Sequence, residues 1–131
     1  MPYYRNFTGV IIEESLKDKT VLQKIQILKT EVEKVTEEHK TPHLNQWTLR
    51  TVEIPENQAD DVAKDLASSL QNAWYADFKN KSFHYIIFCN KIFKVDRSKP
   101  GQYNSVTKYG LSLGIPDYQL DFSPHIKEWK R

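Results

Sequence analysis

Four side chains from one short stretch carry most of the chemistry this sequence offers. Tyr75, Asp77, His84 and Lys91 lie in strand-forming segments. Alternation along a strand puts Tyr75 and Asp77 on one face. The same alternation, on neighbouring strands, brings His84 beside Asp77 or Lys91. Asp77 or His84 in such a cluster could act as a general base, and Lys91 could hold an anionic group. A second grouping is electrostatic: Lys79, Lys91 and Lys94 read as a face for an anion.

Most other constellations are excluded. His39 and His43 are four apart, but Pro42 between them prevents a shared helix face. One cysteine, Cys89, supplies no paired spacing for zinc, so no metal site is expected. No nucleophile elbow, phosphate loop or dinucleotide fingerprint is present, and no cofactor is expected. Glu13 and Glu14 are sequence neighbours; on a strand they would point to opposite faces and could not form a catalytic dyad. Lys81-Ser-Phe-His-Tyr-Ile-Ile-Phe88 overlaps the RNA-recognition signature, in which aromatics stack bases and a basic residue meets phosphate. Ser82 and His84 stand where that signature needs glycine and a small residue. A hairpin, not a helix, is expected after this strand. Nucleic-acid binding is therefore disfavoured.

The elements that must position these residues read as follows. Phe7–Leu16, with Val10-Ile11-Ile12, predicts a buried strand. Asp18-Lys19-Thr20 caps a short helix over about 18–25, and a strand is chosen for 27–37 although its apolar positions also fit a helical period. Trp47–Ile54 predicts a strand pairing back on that one. Ala59, Val62, Ala63, Leu66 and Leu70 form a helical stripe over 56–71, with Asn57 as its cap and Asp60, Asp61 and Asp65 facing solvent. Residues 74–96 predict a three-stranded antiparallel meander, with turns at Asn80-Lys81 and Asn90-Lys91. A last helix spans 100–113, with Pro100 near its first turn, Tyr103, Val106 and Leu113 in its apolar stripe, and Gly114 just past its end. Gln119–Phe122 reads as an extended tail. Trp74, Phe78, Phe88, Phe93 and Leu113 are expected mostly in the core. The fold class is α+β: a single domain over 1–131, its core at about 7–122, with a mainly antiparallel sheet of five or six strands.

The chain's 131 residues suit one domain, and 39% hydrophobic with 27% charged residues suits a globule. No apolar run approaches the ~20 residues of a membrane helix. No signal peptide is read at the N-terminus, and the lone cysteine suits a reducing compartment, so a cytoplasmic protein without membrane anchoring is expected. The net charge of +2 hides an asymmetry. Glu53, Glu56, Asp60, Asp61, Asp65 and Asp77 face only Lys64 in residues 53–77. Lys79, Lys81, Lys91, Lys94, Arg97, Lys99 and Lys108 face only Asp96 in residues 79–108. That split suits an acidic helix beside basic strands in one domain or across a dimer, or a basic face for an anionic partner.

Trp74-Tyr-Ala-Asp-Phe78, Tyr85-Ile-Ile-Phe88, Asn90-Lys-Ile-Phe93, Tyr109-Gly-Leu-Ser-Leu-Gly-Ile-Pro116 and Gln119-Leu-Asp-Phe122 resemble a family of small bacterial and archaeal proteins of uncharacterised function. The likeness covers about residues 7–122 and is most specific in its last segment. It implies a prokaryotic cytosolic α+β domain and no chemistry. Two functional readings remain. The favoured one is a non-catalytic binding or interaction module, whose partner is another protein, a second copy in a homodimer, or a small anion on Lys79, Lys91 and Lys94. The alternative is a small enzyme or ligand-binding protein with a pocket between the sheet and the last helix. A buried, concave cluster of Tyr75, Asp77, His84 and Lys91 would favour the second; a flat, solvated one the first.

Overall fold

Six β-branched and aromatic runs form strands and join one antiparallel sheet. A computed structural model describes residues 6–34, 46–71, 74–116 and 119–120. The strands are β1 (Phe7–Ile12), β2 (Gln26–Lys34), β3 (Gln46–Ile54), β4 (Tyr75–Lys79), β5 (Phe83–Phe88) and β6 (Lys91–Asp96), with helices α1 (Ala59–Ser69) and α2 (Tyr103–Ser112). The sheet order is β2-β3-β1-β4-β5-β6. The expected single α+β domain, meander and two main helices are all present.

Alternation divides the residues of the sheet between two covers. Phe7 and Ile11 of β1, Val52 and Ile54 of β3, Ala76 and Phe78 of β4, and Tyr85 and Ile87 of β5 form one cluster with Val62, Leu66 and Leu70 from α1 and the turn after it. Tyr75, Ile86, Phe88 and Val95 form the opposite cluster with Val106 of α2. Burying a Leu or Phe in either cluster contributes about 1.5–3 kcal/mol. Phe78 and Phe88 are fully buried, whereas Trp74, Phe93 and Leu113 are half-buried on the cluster margins.

The helix ends follow local chemistry. Acidic Asp60 and Asp61 sit in the first turn of α1, where the helix dipole favours them. The Asn57 cap is corrected: a 3-10 turn over Glu56–Gln58 precedes α1, and Gln58 takes the N-cap position without a side-chain bond. At the end of α2, Ile115 N–H bonds the Gly110 carbonyl at 3.2 Å and Gly114 N–H bonds that of Leu111 at 3.0 Å. Gly114, with φ of 86°, takes the left-handed turn that this double bond needs.

Three other boundaries differ from expectation. β1 stops at Ile12, and a 3-10 turn over Glu13–Ser15 follows, in which the Ser15 hydroxyl donates to the Ile12 carbonyl. Glu13 and Glu14 are thus on a turn and take separate partners: Glu13 accepts from Arg50, Glu14 from Thr48. The helix near 18–25 is a 3-10 turn over Lys19–Gln23, capped by Asp18 as expected. The tight turn between β5 and β6 is Cys89-Asn90, since Phe88 pairs with Lys91, and Asn90 takes a φ of 58°. Residues 35–37 of the expected strand, His39, Pro42, His43 and Phe122 of the tail lie outside the described residues.

Candidate functional site

The site grows from one diagonal of the sheet. Asp77 stands on β4 opposite Ile86, and Lys79, two residues on, stands opposite His84 of β5. All four share the face that α2 covers further along the strands. The diagonal brings His84 Nε2 to 2.8 Å from Asp77 Oδ2. The other ring nitrogen, Nδ1, lies 2.9 Å from the Tyr103 hydroxyl at the start of α2. Asp77 and His84 are only 2% and 1% exposed. Groups so deeply buried persist because they are hydrogen-bonded. An imidazole with its hydrogen on Nε2 satisfies the chain throughout: Tyr103 donates to Nδ1, and Nε2 donates to the carboxylate.

Arg97, just beyond β6, closes the chain from the other side. Its guanidinium donates to the Asn80 carbonyl and its charge acts on the Tyr103 phenol, and its backbone N–H bonds the Ser82 carbonyl at 2.9 Å. The loop at 80–82 is itself held by Asn80 Oδ1, which accepts from the N–H groups of Ser82 and Phe83. Burial pushes the Tyr103 phenol above its ordinary value; the Asp77 charge adds to that, while Arg97 opposes it. Burial also draws the Lys79 ammonium below its ordinary value, helped by the nearby Arg97 charge and opposed by Asp77.

Beside this chain opens a cleft of about 380 Å³. Thr8, Gly9 and Val10 of β1, Thr51 of β3, and Asp77 and Lys79 of β4 line it along neighbouring strands, with Asn80, Lys81 and Arg97 beside them. Three cationic side chains and one carboxylate therefore line one concavity. β1 approaches β4 unusually closely here. A Cβ on Gly9 would stand 2.0 Å from the Asp77 carbonyl oxygen, so only glycine fits.

The structure separates the sequence-based candidates. It brings together Asp77, Lys79 and His84. Tyr75 shares their face but is core: its hydroxyl donates to the Gln119 carbonyl and its ring packs 5.8 Å from Phe88. Lys91 pairs with Phe88, four residues along the ladder from the His84–Val95 pair. That is about 13 Å at strand spacing. Its Nζ instead lies over the rings of Phe93 and Tyr109, at 5.3 and 6.0 Å. Lys94 is on the α1 side of the sheet, with Nζ 4.6 Å from the Phe83 ring centre. Lys79, Lys91 and Lys94 accordingly form no common face. No stacking platform forms on β5 either: Tyr85 is 3% exposed, lies stacked on Phe78 and donates its hydroxyl to Asp60.

Sequence reasoning misses Arg97, Tyr103, Lys81, Gly9 and the two threonines as parts of this site. Tyr103 reads as part of the apolar stripe of its helix, and its ring edge does pack on His84 at 5.6 Å. Gly9, alone among β-formers in β1, is the available signal of a close approach. Among the described residues, no group of three His, Cys, Asp or Glu could hold a metal ion, and no helix is long and apolar enough to cross a membrane. No protein-family profile, curated protein or solved structure matches the chain.

Proposed function

We propose that the protein binds a small anionic molecule in the cleft between β1 and the β4–β5 loop. The observation that carries this reading is the lining: Lys79, Lys81 and Arg97 around one concavity, against a buried Asp77. Cations in a cleft raise the local concentration of anions and hold them by charge-assisted hydrogen bonds. Asp77 adds a second requirement. A carboxylate repels a bare anion, so the ligand also presents a hydroxyl or amino hydrogen to it. Thr8 and Thr51 line the same cleft from the β1–β3 side. The volume lies within the usual range for small-molecule sites.

This reading keeps the binding role expected from sequence but moves it from an exposed lysine face into a cleft. A catalytic variant has one observation in its favour: His84 and Tyr103 back the Asp77 carboxylate, an arrangement that suits proton transfer from a bound hydroxyl. The single free thiol of Cys89 supports the cytoplasm as the setting, and the resemblance to small bacterial and archaeal proteins supports a prokaryotic host.

Calorimetric titration with inorganic phosphate, glycerol 3-phosphate and lactate tests the proposal. Arg97→Gln and Lys79→Gln should each weaken the bound probe at least about tenfold, the worth of one charge-assisted hydrogen bond. Asp77→Asn should weaken the hydroxyl-bearing probes while sparing or improving inorganic phosphate. If no probe binds at millimolar concentration and native mass spectrometry of fresh protein shows no co-purifying anion, the proposal fails.

A further inference from the structure

The opposite edge of the sheet carries a different feature. Every residue of β2, from Gln26 to Lys34, is exposed. Its apolar side chains supply three of the exposed large hydrophobic residues in the described chain: Ile27 at 38%, Leu28 at 48% and Val32 at 62%. Among the described residues its one sheet neighbour is β3, so its outer side is an edge. A long edge strand with exposed apolar side chains is a template for another strand.

The charges on β2 say which strand. In an antiparallel pairing with its own copy on a two-fold axis at Thr30, Lys29 stands opposite Glu31 of the copy. Within the chain Lys29 and Glu31 already lie 2.7 Å apart. The pairing therefore assembles two lysines and two glutamates of alternating sign on one face. Neighbouring residue-centred registers lack this match. An axis at Glu31 sets Glu31 against itself, one at Val32 sets Glu31 against Glu33, and one at Lys29 sets Lys29 against itself; like charges directly opposite destabilise a pair. The register shift between Ile27 and Lys29 twists one end of the edge. Together with the charges, it guards β2 against unselective pairing while leaving this register open.

We propose that β2 is a homodimerisation edge, pairing antiparallel with β2 of a second copy about Thr30. The sheet then runs unbroken through both copies, and each copy keeps its own cleft beyond β3. The inference is independent of what the cleft binds.

Sedimentation of the full chain from micromolar to millimolar concentration should show a monomer–dimer equilibrium. Lys29→Glu and Glu31→Lys should each weaken it by about ten- to a hundredfold, because two opposite-charge pairs become like-charge pairs. An equimolar mixture of these two variants should regain dimer, now as a heterodimer, since their charges are complementary across the axis but not within either chain. That mixing step separates the interface from the in-chain ion pair. Circular dichroism of each variant confirms that it is folded. A chain that stays monomeric throughout, or a dimer indifferent to both substitutions, overturns the proposal.

Discussion

Gly9→Ala is the sharpest probe of how the cleft is built. The added methyl would stand 2.0 Å from the Asp77 carbonyl oxygen and 2.7 Å from both Cα and Cβ of Phe78. Ordinary carbon–oxygen contact is well beyond that distance, so β1 and β4 must separate. Backbone atoms cannot rotate away as a long side chain can. The ladder there is short: Thr8 with Lys79, Gly9 with Phe78, Val10 with Asp77. Overpacking costs about 1–3 kcal/mol, and each net hydrogen bond lost from the ladder adds about 0.5–1.5 kcal/mol. With one or two bonds lost, a total of about 1.5–6 kcal/mol follows. For a domain of this size that lowers the melting temperature by about 5–25 °C. Gly101→Ala is the control, because a Cβ there meets nothing within 4 Å. Differential scanning calorimetry of both variants decides. A Gly9→Ala protein melting within about 3 °C of the parent, less than 1 kcal/mol, would show that the β1–β4 approach is looser than described. It would remove the geometric basis of the cleft wall.

Three further outcomes are expected. Tyr85 keeps its proton beyond the ordinary tyrosine value of 10.0, through burial and its bond to Asp60; its contribution is full below about pH 10 and is lost as pH rises toward the folded value. Chemical denaturation on either side of that ordinary value should show the loss in the parent, and Tyr85→Phe should diminish it; an unchanged alkaline slope would refute the assignment. Phe88→Ala, at a fully buried ring, should cost about 3–5 kcal/mol, whereas Phe93→Ala, at a half-buried one, should cost clearly less in the same assay; equal costs would refute the ranking. Lys91→Gln and Lys94→Gln should leave affinity for the anionic probe within about twofold while Lys79→Gln weakens it, because neither distant lysine lines the cleft; equal losses at all three would return the site to the open lysine face.

Locally encoded features are legible in the sequence itself. The stripe Val62, Leu66, Leu70 fixes α1 because three- and four-residue spacing has one helical solution. The meander follows from short apolar runs separated by Asn-containing turns. The Asp77–His84 contact is also within reach, since both residues belong to one hairpin and alternation restricts which side chains can meet. The same rule speaks against the lysine grouping: Lys91 and Lys94 are three apart on β6, which sends them to opposite faces. What escapes depends on strand order. Thr8, Gly9 and Thr51 reach the cleft because β1 inserts between β3 and β4, a long-range arrangement that no local pattern specifies. Arg97 lines the cleft and Tyr103 reaches His84 because the chain folds back across the sheet after β6. The boundaries of β1 and the 3-10 turn at Lys19–Gln23 depend on tertiary partners, such as the bridge between Leu16 and Leu70.

The division of one sheet face explains why the cleft is where it is. Along the face toward α2, Tyr75, Ile86, Phe88 and Val95 are apolar or aromatic and lie in the cluster with Val106. Between Ile86 and His84 the chemistry changes: a carboxylate, an imidazole and an ammonium replace hydrocarbon within one ladder step. Replacing a buried ionic pair by hydrocarbon of similar volume is often neutral or stabilising, so such a pair is weak evidence for stability. Core packing alone therefore does not account for Asp77 and His84. Their burial, the bond to Tyr103 and the guanidinium behind it hold a carboxylate at the rim of a cationic cleft. Under the proposed reading, that carboxylate is kept for what it contacts in the cleft.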